Sequence, residues 1–274
     1  MLFEVSGVVV PVWLPPLVAF AISLFTSMVG ISGAFLLLPF QMSVLGYVAP
    51  SVSATNLVFN LVAIPAGVWR YAHEQRMDWP LAWVITAGTL PGLLAGWWLR
   101  VHWLPDPRDF KFFVGLVLLG LAVKLLLNRH NNGKQVVEVA DRKWRAVPVL
   151  SVALVIGVVG GTYGIGGGAI MAPVLVAIFS MSIHGLAGAT LFGTLVTSVA
   201  GVALYQFMPA PPGMATRPDW ALGILFGMGG AAGMYAGARL QKHLPQRALE
   251  VGIALVLGLL ASAYVVGYWL SASG

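Results

Sequence analysis

Residues 163–173 read Tyr163-Gly164-Ile165-Gly166-Gly167-Gly168-Ala169-Ile170-Met171-Ala172-Pro173, inside a run from Ala146 to Thr216 that has no Asp, Glu, Lys or Arg. A helix in hydrocarbon must satisfy its own backbone, and irregular backbone at membrane depth is tolerated only where protein buries it or water reaches it. A weaker copy, Gly30-Ile31-Ser32-Gly33 followed by Pro39, lies one half-chain earlier. Both copies run Gly-Ile-X-Gly and reach a proline nine residues after the first glycine. Glycine-interrupted apolar segments at matching places in two halves are typical of a transporter's binding site.

Composition places the chain among membrane proteins. It has 274 residues, of which 59% are hydrophobic and 9% charged, with a mean hydropathy of +0.89. Soluble domains carry about 25% charged residues, so the sequence predicts an all-α polytopic protein whose partner is the lipid bilayer. The net charge of +6 is expected in cytoplasmic loops rather than on a nucleic-acid surface. Without cysteine there is no disulfide framework, and no cofactor or metal site is predicted.

Ten apolar segments can be placed along the chain, near residues 12–30, 33–48, 52–69, 80–99, 110–128, 146–164, 166–182, 185–207, 220–240 and 247–270. A straight span needs about 20 residues. The segments 33–48 and 166–182 are short, and each follows a glycine motif. Either they are full but tilted helices, or they are broken half-helices that re-enter.

The second half of the sequence repeats the first. The row Gly88, Gly92 and Gly96 matches Gly229, Gly233 and Gly237 at a constant offset of 141, and Asp78-Trp79 matches Asp219-Trp220. We predict one transmembrane domain over residues 1–274, with repeat 1 at 12–128, a cytoplasmic linker at 129–145 and repeat 2 at 146–270. The two glycine rows are expected to pack helices closely, and the two aspartates to cap helix N-termini.

Basic residues set the expected orientation of the repeats. Five crossings per repeat invert the second copy and place the linker in the cytoplasm with Arg70, Arg76, Lys124, Arg129, Lys134, Arg142, Lys143, Arg145, Arg239, Lys242 and Arg247. The outside then keeps Arg100, Arg108, Lys111 and Arg217, a split of 11 to 4 against 9 to 6 for an upright second repeat. The positive-inside rule favours inverted repeats in a cytoplasmic (inner) cell membrane, with both termini outside.

Inverted repeats would bring the helix starts after the two glycine motifs together near the midplane. Such helix ends offer free backbone N–H groups and a positive dipole end, which suits an anion. The core segments carry no carboxylate, and neutral donors supplement the glycines. The candidate substrate-binding residues are Gly30, Ser32, Gly33, Thr55, Asn56, Asn60, Thr162, Tyr163, Gly164, Gly166, Gly167, Gly168, Thr190 and Thr194. For the serines and threonines, interhelical hydrogen bonding is an equal alternative.

These motifs resemble the TauE/SafE, or sulfite exporter, family of membrane transporters from about Val12 to Leu270. By that resemblance Gly164, Gly166, Gly167, Gly168 and Pro173 match the second family motif, and Gly30, Gly33 and Pro39 match the first. Ser32 stands where the family motif has glycine, and Phe35 is bulkier than expected. The resemblance implies export of small sulfur-containing anions such as sulfite, sulfoacetate or taurine-related sulfonates. A homo-oligomer is compatible with it.

Two other functions fit parts of the sequence. Gly30-Ile31-Ser32-Gly33 reads as the Gly-x-Ser-Gly of rhomboid intramembrane proteases, with His184 as the base that a serine nucleophile needs. The duplication, in which glycine takes the place of the serine, argues against this reading. A non-transporting membrane subunit is the other alternative.

Overall fold

The computed structural model describes residues 1–28, 32–127, 146–179, 181, 183–240 and 246–270. The predicted linker 129–145 and Gly30 lie outside these ranges. All the named elements of the described residues are helices, which turns and loops connect, and an isolated antiparallel β-bridge pairs Leu2 with Val9. Its helices are α1 (Leu14–Met28), α2 (Ala34–Ser43), α3 (Ser51–Ala63), α4 (Pro65–His73), α5 (Trp79–His102), α6 (Pro107–Leu127), α7 (Ala146–Tyr163), α8 (Gly168–Phe179), α9 (Ile183–Phe207), α10 (Trp220–Leu240) and α11 (Gln246–Leu270).

The all-helical membrane class is confirmed. Among the described residues five segments are long and apolar enough to cross a bilayer: Ser51–His73, Trp79–His102, Ala146–Tyr163, Leu186–Phe207 and Val251–Leu270. The predicted segment 52–69 is divided into α3 and α4 at Pro65, whose ring removes a helical hydrogen bond.

The two segments that follow the glycine motifs form short helices. α2 has 10 residues and α8 has 12, so at 1.5 Å per residue they are roughly 15 and 18 Å long. A straight helix of that length does not cross a hydrocarbon core of about 30 Å. Of the two alternatives left open by the sequence, half-helices agree better with the observed lengths than full tilted helices do, and their re-entry stays a prediction.

Two seams of small residues hold the bundle together. In α5, Gly88, Gly92 and Gly96 lie against the backbone of α7, and a Cβ added at Gly88 would lie 2.7 Å from the carbonyl oxygen of Leu150. In α10, the other glycine row, at positions 229, 233 and 237, lies in the same way against backbone carbonyls of α1. The packing interpretation of both rows is confirmed, because any side chain would force these helices apart.

Helices that the sequence repeat makes equivalent run antiparallel where they meet. The contacts of α3 and α4 with α9 proceed in opposite chain order: Leu57 with Gly201, Asn60 with Ser198, and Gly67 with Leu191. The same holds for α6 and α11, since Arg108 bonds Tyr268 whereas Gly115 lies against Ala261. An inverted duplication requires these directions. The inversion itself, and the side of the membrane on which each terminus lies, remain predictions.

Both predicted aspartate caps are present. Asp78 Oδ1 accepts a hydrogen bond from Leu81 N at 2.9 Å, and Asp219 Oδ1 accepts one from Leu222 N at 3.1 Å. Asp219 does more than cap α10, because its Oδ2 also accepts from the backbone N and the hydroxyl of Ser6. This carboxylate therefore fastens the N-terminal hairpin to the bundle.

The two caps provide a matched pair for measuring that fastening. We expect Asp78→Ala to lower the free energy of unfolding in detergent by about 1 kcal/mol, the usual cost of a lost N-cap. Asp219→Ala should cost about 2–3 kcal/mol, because the partly buried amide and hydroxyl of Ser6 also lose their acceptor. Equal losses in the two variants would show that the hairpin is not held through Asp219.

The α1–α10 seam predicts a large effect from one methyl group. In Gly233→Ala the new Cβ would overlap the carbonyl oxygen of Phe20, so we expect a loss of about 1–3 kcal/mol in unfolding free energy from overpacking. Gly258→Ala in α11 is the control, since nothing lies within 4 Å of a Cβ there. It should be neutral or stabilising by up to about 1 kcal/mol. A neutral Gly233→Ala would contradict the seam.

Candidate functional site

The second glycine motif forms a break between α7 and α8. α7 ends at Tyr163, and Gly164 takes a φ of +84°, the left-handed conformation that favours glycine after a helix end. The amides of Gly164 and Ile165 both donate to the carbonyl of Gly160, at 2.9 and 3.1 Å. Gly166 is also left-handed, with a φ of +75°, and α8 begins two residues later. Residues 161–168 are all buried.

Two amide side chains of α3 satisfy the break. Asn56 Nδ2 donates to the carbonyl of Gly164 at 2.9 Å, and Asn60 Nδ2 donates to that of Ile165 at 2.9 Å. Asn60 Nδ2 also lies 3.2 Å from the hydroxyl oxygen of Ser198 on α9. Both asparagines are fully buried. Their spacing of four places them on one helix face, so consecutive turns of α3 serve consecutive carbonyls of the break.

The first motif meets the same asparagine. α1 ends at Met28 and α2 begins at Ala34, whose amide donates to the Ser32 hydroxyl at 3.3 Å. The Ala34 carbonyl accepts from Asn56 Nδ2 at 3.1 Å. One amide group thus joins the first residue of α2 to the break that follows α7. Convergence of the two helix starts at a substrate site stays a prediction. Gly33, like Asn56, is in the buried interior.

Protein groups lie close to every glycine of the second motif. A Cβ at Gly164 would lie 2.5 Å from the Cα of Ser53, and one at Gly167 would lie 2.6 Å from the Cβ of Thr89. The nearest atoms to Gly166 and Gly168 belong to Thr194, Ser198 and Thr190 of α9. In this conformation the break is sealed, and the space that the missing side chains leave is occupied by neighbouring helices.

Several predicted residues lie at or beside the break, but their hydroxyls bond other parts of the chain. Thr162 donates to the carbonyls of Val158 and Gly96, and Tyr163 donates to that of Phe35. Thr190 and Thr194 donate to carbonyls of their own helix. Thr55 belongs to a separate network, in which its hydroxyl donates to the carbonyl of Ser51 and accepts from the amide of Asp219. For these hydroxyls the observed partners are those of interhelical or intrahelical bonding.

The candidate set omitted three polar groups at the break. Gln41 Nε2 lies 3.4 Å from Asn56 Oδ1, and Gln41 is the one amide side chain in the apolar segment 33–48. Thr197 accepts from the amide of Gly167 at 3.1 Å, and Ser198 receives Asn60. Thr197 and Ser198 lie on the same face of α9 as Thr190 and Thr194, and this spacing is the sequence signal that indicates their place at the break.

The electrostatics of the break come from neutral groups. Of the charged side chains that the structure describes, only Arg100 and Asp219 are buried. No group of three or more His, Cys, Asp or Glu side chains lies together within the described ranges. Ser32 accepts a local hydrogen bond, whereas the side chain of His184 lies outside what is described, so the protease pairing of these two residues is not tested.

The chain is similar to probable membrane transporter proteins over most of its length. The sequence profile of the family described as sulfite exporter TauE/SafE matches residues 16–264. The probable membrane transporter protein YunE of Bacillus subtilis is 20% identical over 251 residues, which cover 84% of this chain and 89% of that protein. Another protein of that organism, the probable membrane transporter protein YjnA, is 24% identical over 247 residues, covering 84% and 91%. No solved structure matches the chain significantly.

The sealed break predicts that Gly164 tolerates no side chain. Gly164→Ala forces a non-glycine residue into the left-handed region, at about 1–2 kcal/mol, and adds overlap with the backbone of Ser53. Gly213→Ala is the matched control, because Gly213 has a φ of +80° with nothing within 4 Å of a Cβ. We expect melting in detergent to show an additional loss of about 1–3 kcal/mol for the Gly164 variant. Equal losses of unfolding free energy in the two variants would mean that the backbone of Ser53 moves aside without a measurable cost.

Proposed function

This chain belongs to the TauE/SafE family of sulfite exporters, which are membrane transporters, and we propose that it is a secondary transporter of small sulfur-containing anions. The substrates are sulfite or sulfonates such as sulfoacetate and taurine-related compounds. Transport proceeds across the cytoplasmic (inner) cell membrane, through two inverted repeats whose ends both lie outside. The antiparallel contacts of α3–α4 with α9 and of α6 with α11 support the inversion.

The substrate site in this proposal is the convergence of the two glycine motifs. The observation that carries it is the position of Asn56, which bonds Gly164 of one motif and Ala34 at the helix start of the other. When the motifs separate, these same groups become free to bind an anion: the Asn56 and Asn60 amides, the Gly167 amide now held by Thr197, and the N-terminal turns of α2 and α8. The hydroxyls of Thr194 and Ser198 are further donors.

The scarcity of buried acids supports movement driven by the membrane potential. Asp219 is the single buried carboxylate in the described chain, and Ser6 and the α10 amides already occupy it. An anion leaving a negative interior gains about 2.3 kcal/mol per charge per 100 mV, roughly a fiftyfold gradient. Proton coupling is the competing mechanism, with His184 as its carrier.

Family membership argues against the protease alternative, in which Ser32 is the nucleophile. The Ser32 hydroxyl accepts the amide hydrogen of Ala34 within the first motif, an ordinary local capping contact. A fluorophosphonate probe that labelled Ser32 would support the protease. A chain that moves no anion on its own would support the other alternative, a subunit of a larger assembly.

Flux measurements on proteoliposomes test the proposal. Purified protein should move radiolabelled sulfite or methanesulfonate, at a rate that follows the imposed potential and survives removal of a pH gradient. Asn56→Ala should reduce the rate by about tenfold or more, because it removes a donor worth at least 1.4 kcal/mol to the site. Thr86→Ala is the control, since this buried hydroxyl bonds only its own helix at Ala82.

Three results would each contradict a different part of the proposal. No flux of any sulfur oxyanion or sulfonate by wild type would refute the substrate class. Equal flux by Asn56→Ala and Thr86→Ala would show that the break is not part of the substrate site. If the flux does not depend on voltage and is lost in His184→Ala, the driving force is proton coupling and not the membrane potential.

A further inference from the structure

One cationic side chain is completely enclosed near the end of α5. Arg100 has no exposed surface, and it is the only basic residue among the buried side chains that the structure describes. The charge pattern predicts Arg100 on the outside, yet this residue is buried within α5, which continues to His102. A guanidinium stays protonated in proteins, so the interior of the bundle holds a fixed positive charge.

The partners of Arg100 do not neutralise this charge. Its Nη1 and Nη2 donate to the backbone carbonyls of Leu104 and Val48, and its guanidinium carbon lies 3.6 Å from the centroid of the Phe110 ring. Its Nε is buried without an acceptor. The ion pairs in the described chain join Glu74 to surface arginines. Taking an unpaired charge out of water is costly, so the surroundings of Arg100 favour an anion.

Another donor without a partner lies near Arg100. Trp97, three residues earlier and therefore on the same face of α5, has a buried indole N–H with no acceptor. Tyr47 and Tyr205 are electrostatic neighbours of Arg100, and Tyr47 in turn interacts with Ser51 and with the carboxylate of Asp219. Buried donors that stay unpaired are unusual in a stable core.

This cluster lies next to the glycine break. One turn before Arg100, the carbonyl of Gly96 accepts from Thr162, in the last turn of α7. Tyr205, the neighbour of Arg100, directs its hydroxyl to the carbonyl of Gly161 at 3.5 Å. An ion leaving the break past the end of α7 would meet the guanidinium within about one helical turn.

The second repeat has no arginine at the position that matches Arg100. At the offset of 141 that aligns the glycine rows of α5 and α10, Arg100 corresponds to Gln241. The buried guanidinium is therefore not part of the sequence pattern that the two repeats share.

We propose that Arg100, with the indole N–H of Trp97, forms a second anion subsite beside the break, on the route of the transported sulfur oxyanion or sulfonate. The identity of this ligand rests on the proposed transport function, whereas the subsite itself rests on the buried guanidinium and the two donors without acceptors. In the bound state the anion accepts from Arg100 Nε and from the Trp97 indole N–H.

Two measurements on purified full-length protein test the subsite: the rise in melting temperature with methanesulfonate at constant ionic strength, and the half-saturating concentration for flux. Arg100→Gln should raise the concentration needed in both by about tenfold or more, the effect of losing a charge-assisted hydrogen bond. Arg108→Gln is the matched control, because Arg108 also stacks on an aromatic ring and donates to a backbone carbonyl, that of Tyr268, but in the α6–α11 pair. It should leave both values within about twofold.

Further variants separate binding from folding. Arg100→Lys, which keeps the charge and loses the Nε donor, should be intermediate, and Trp97→Phe should weaken anion dependence while keeping the ring. A lower melting temperature for Arg100→Gln with unchanged anion dependence would overturn the subsite. The subsite would also be overturned if chloride stabilised the protein as much as methanesulfonate does and Arg100→Gln left the half-saturating concentration for flux unchanged. That combination of results describes a resident ion rather than a substrate subsite. Absence of flux in wild type, with anion-dependent melting still lost in Arg100→Gln, would refute the transport function and the ligand's identity but leave the subsite supported.

Discussion

The structure depends on two asparagine amides that satisfy backbone carbonyls where helices stop. The break at residues 164–167 exposes peptide groups that hydrocarbon cannot solvate, and Asn56 and Asn60 reach Gly164 and Ile165 from one face of α3. Without them the chain would leave acceptors buried and unpaired, at about 1–3 kcal/mol each. Because Asn56 also reaches Ala34, the same bonds couple the two halves of the chain. A membrane protein that breaks its helices at depth needs such groups, and they are also suitable ligands for an anion.

Around this centre the molecule has two kinds of interface. The glycine rows of α5 and α10 bring those helices into backbone contact with α7 and α1, and such seams tolerate little sliding because every methyl group would collide. α3 contacts the break through hydrogen bonds from Asn56 and Asn60 to backbone carbonyls, and contacts α9 through the Asn60–Ser198 bond and apolar packing of Leu57 against Gly201. If the break opens as proposed, we expect these polar contacts to exchange partners while the seams stay intact.

The sequence predicted the helical class, the positions of most helices, both aspartate caps and the packing role of the glycine rows, because each rests on local periodicity or spacing. It also led to Asn56 and Asn60, since an amide in an apolar segment requires a partner. The sequence wrongly predicted an exposed position for Arg100. Burial of a residue near a helix end depends on the neighbouring loop and on Phe110, which local spacing does not reveal. The sequence could not assign Thr55 or Thr162, because a hydroxyl bonding its own helix and one facing a ligand have the same spacing.

If the sealed break opens to form the proposed anion path, the side chain of Ser198 becomes accessible to reagents during transport. The chain has no cysteine, so Ser198→Cys introduces a single thiol, nearly isosteric, at the hydroxyl that receives Asn60. Its reaction with a methanethiosulfonate reagent carrying a sulfonate should proceed in membranes, and methanesulfonate, which unlike sulfite does not consume the reagent, should slow it. An introduced thiol that stays unreactive while the protein transports, or that reacts at the same rate with and without methanesulfonate, would contradict the account.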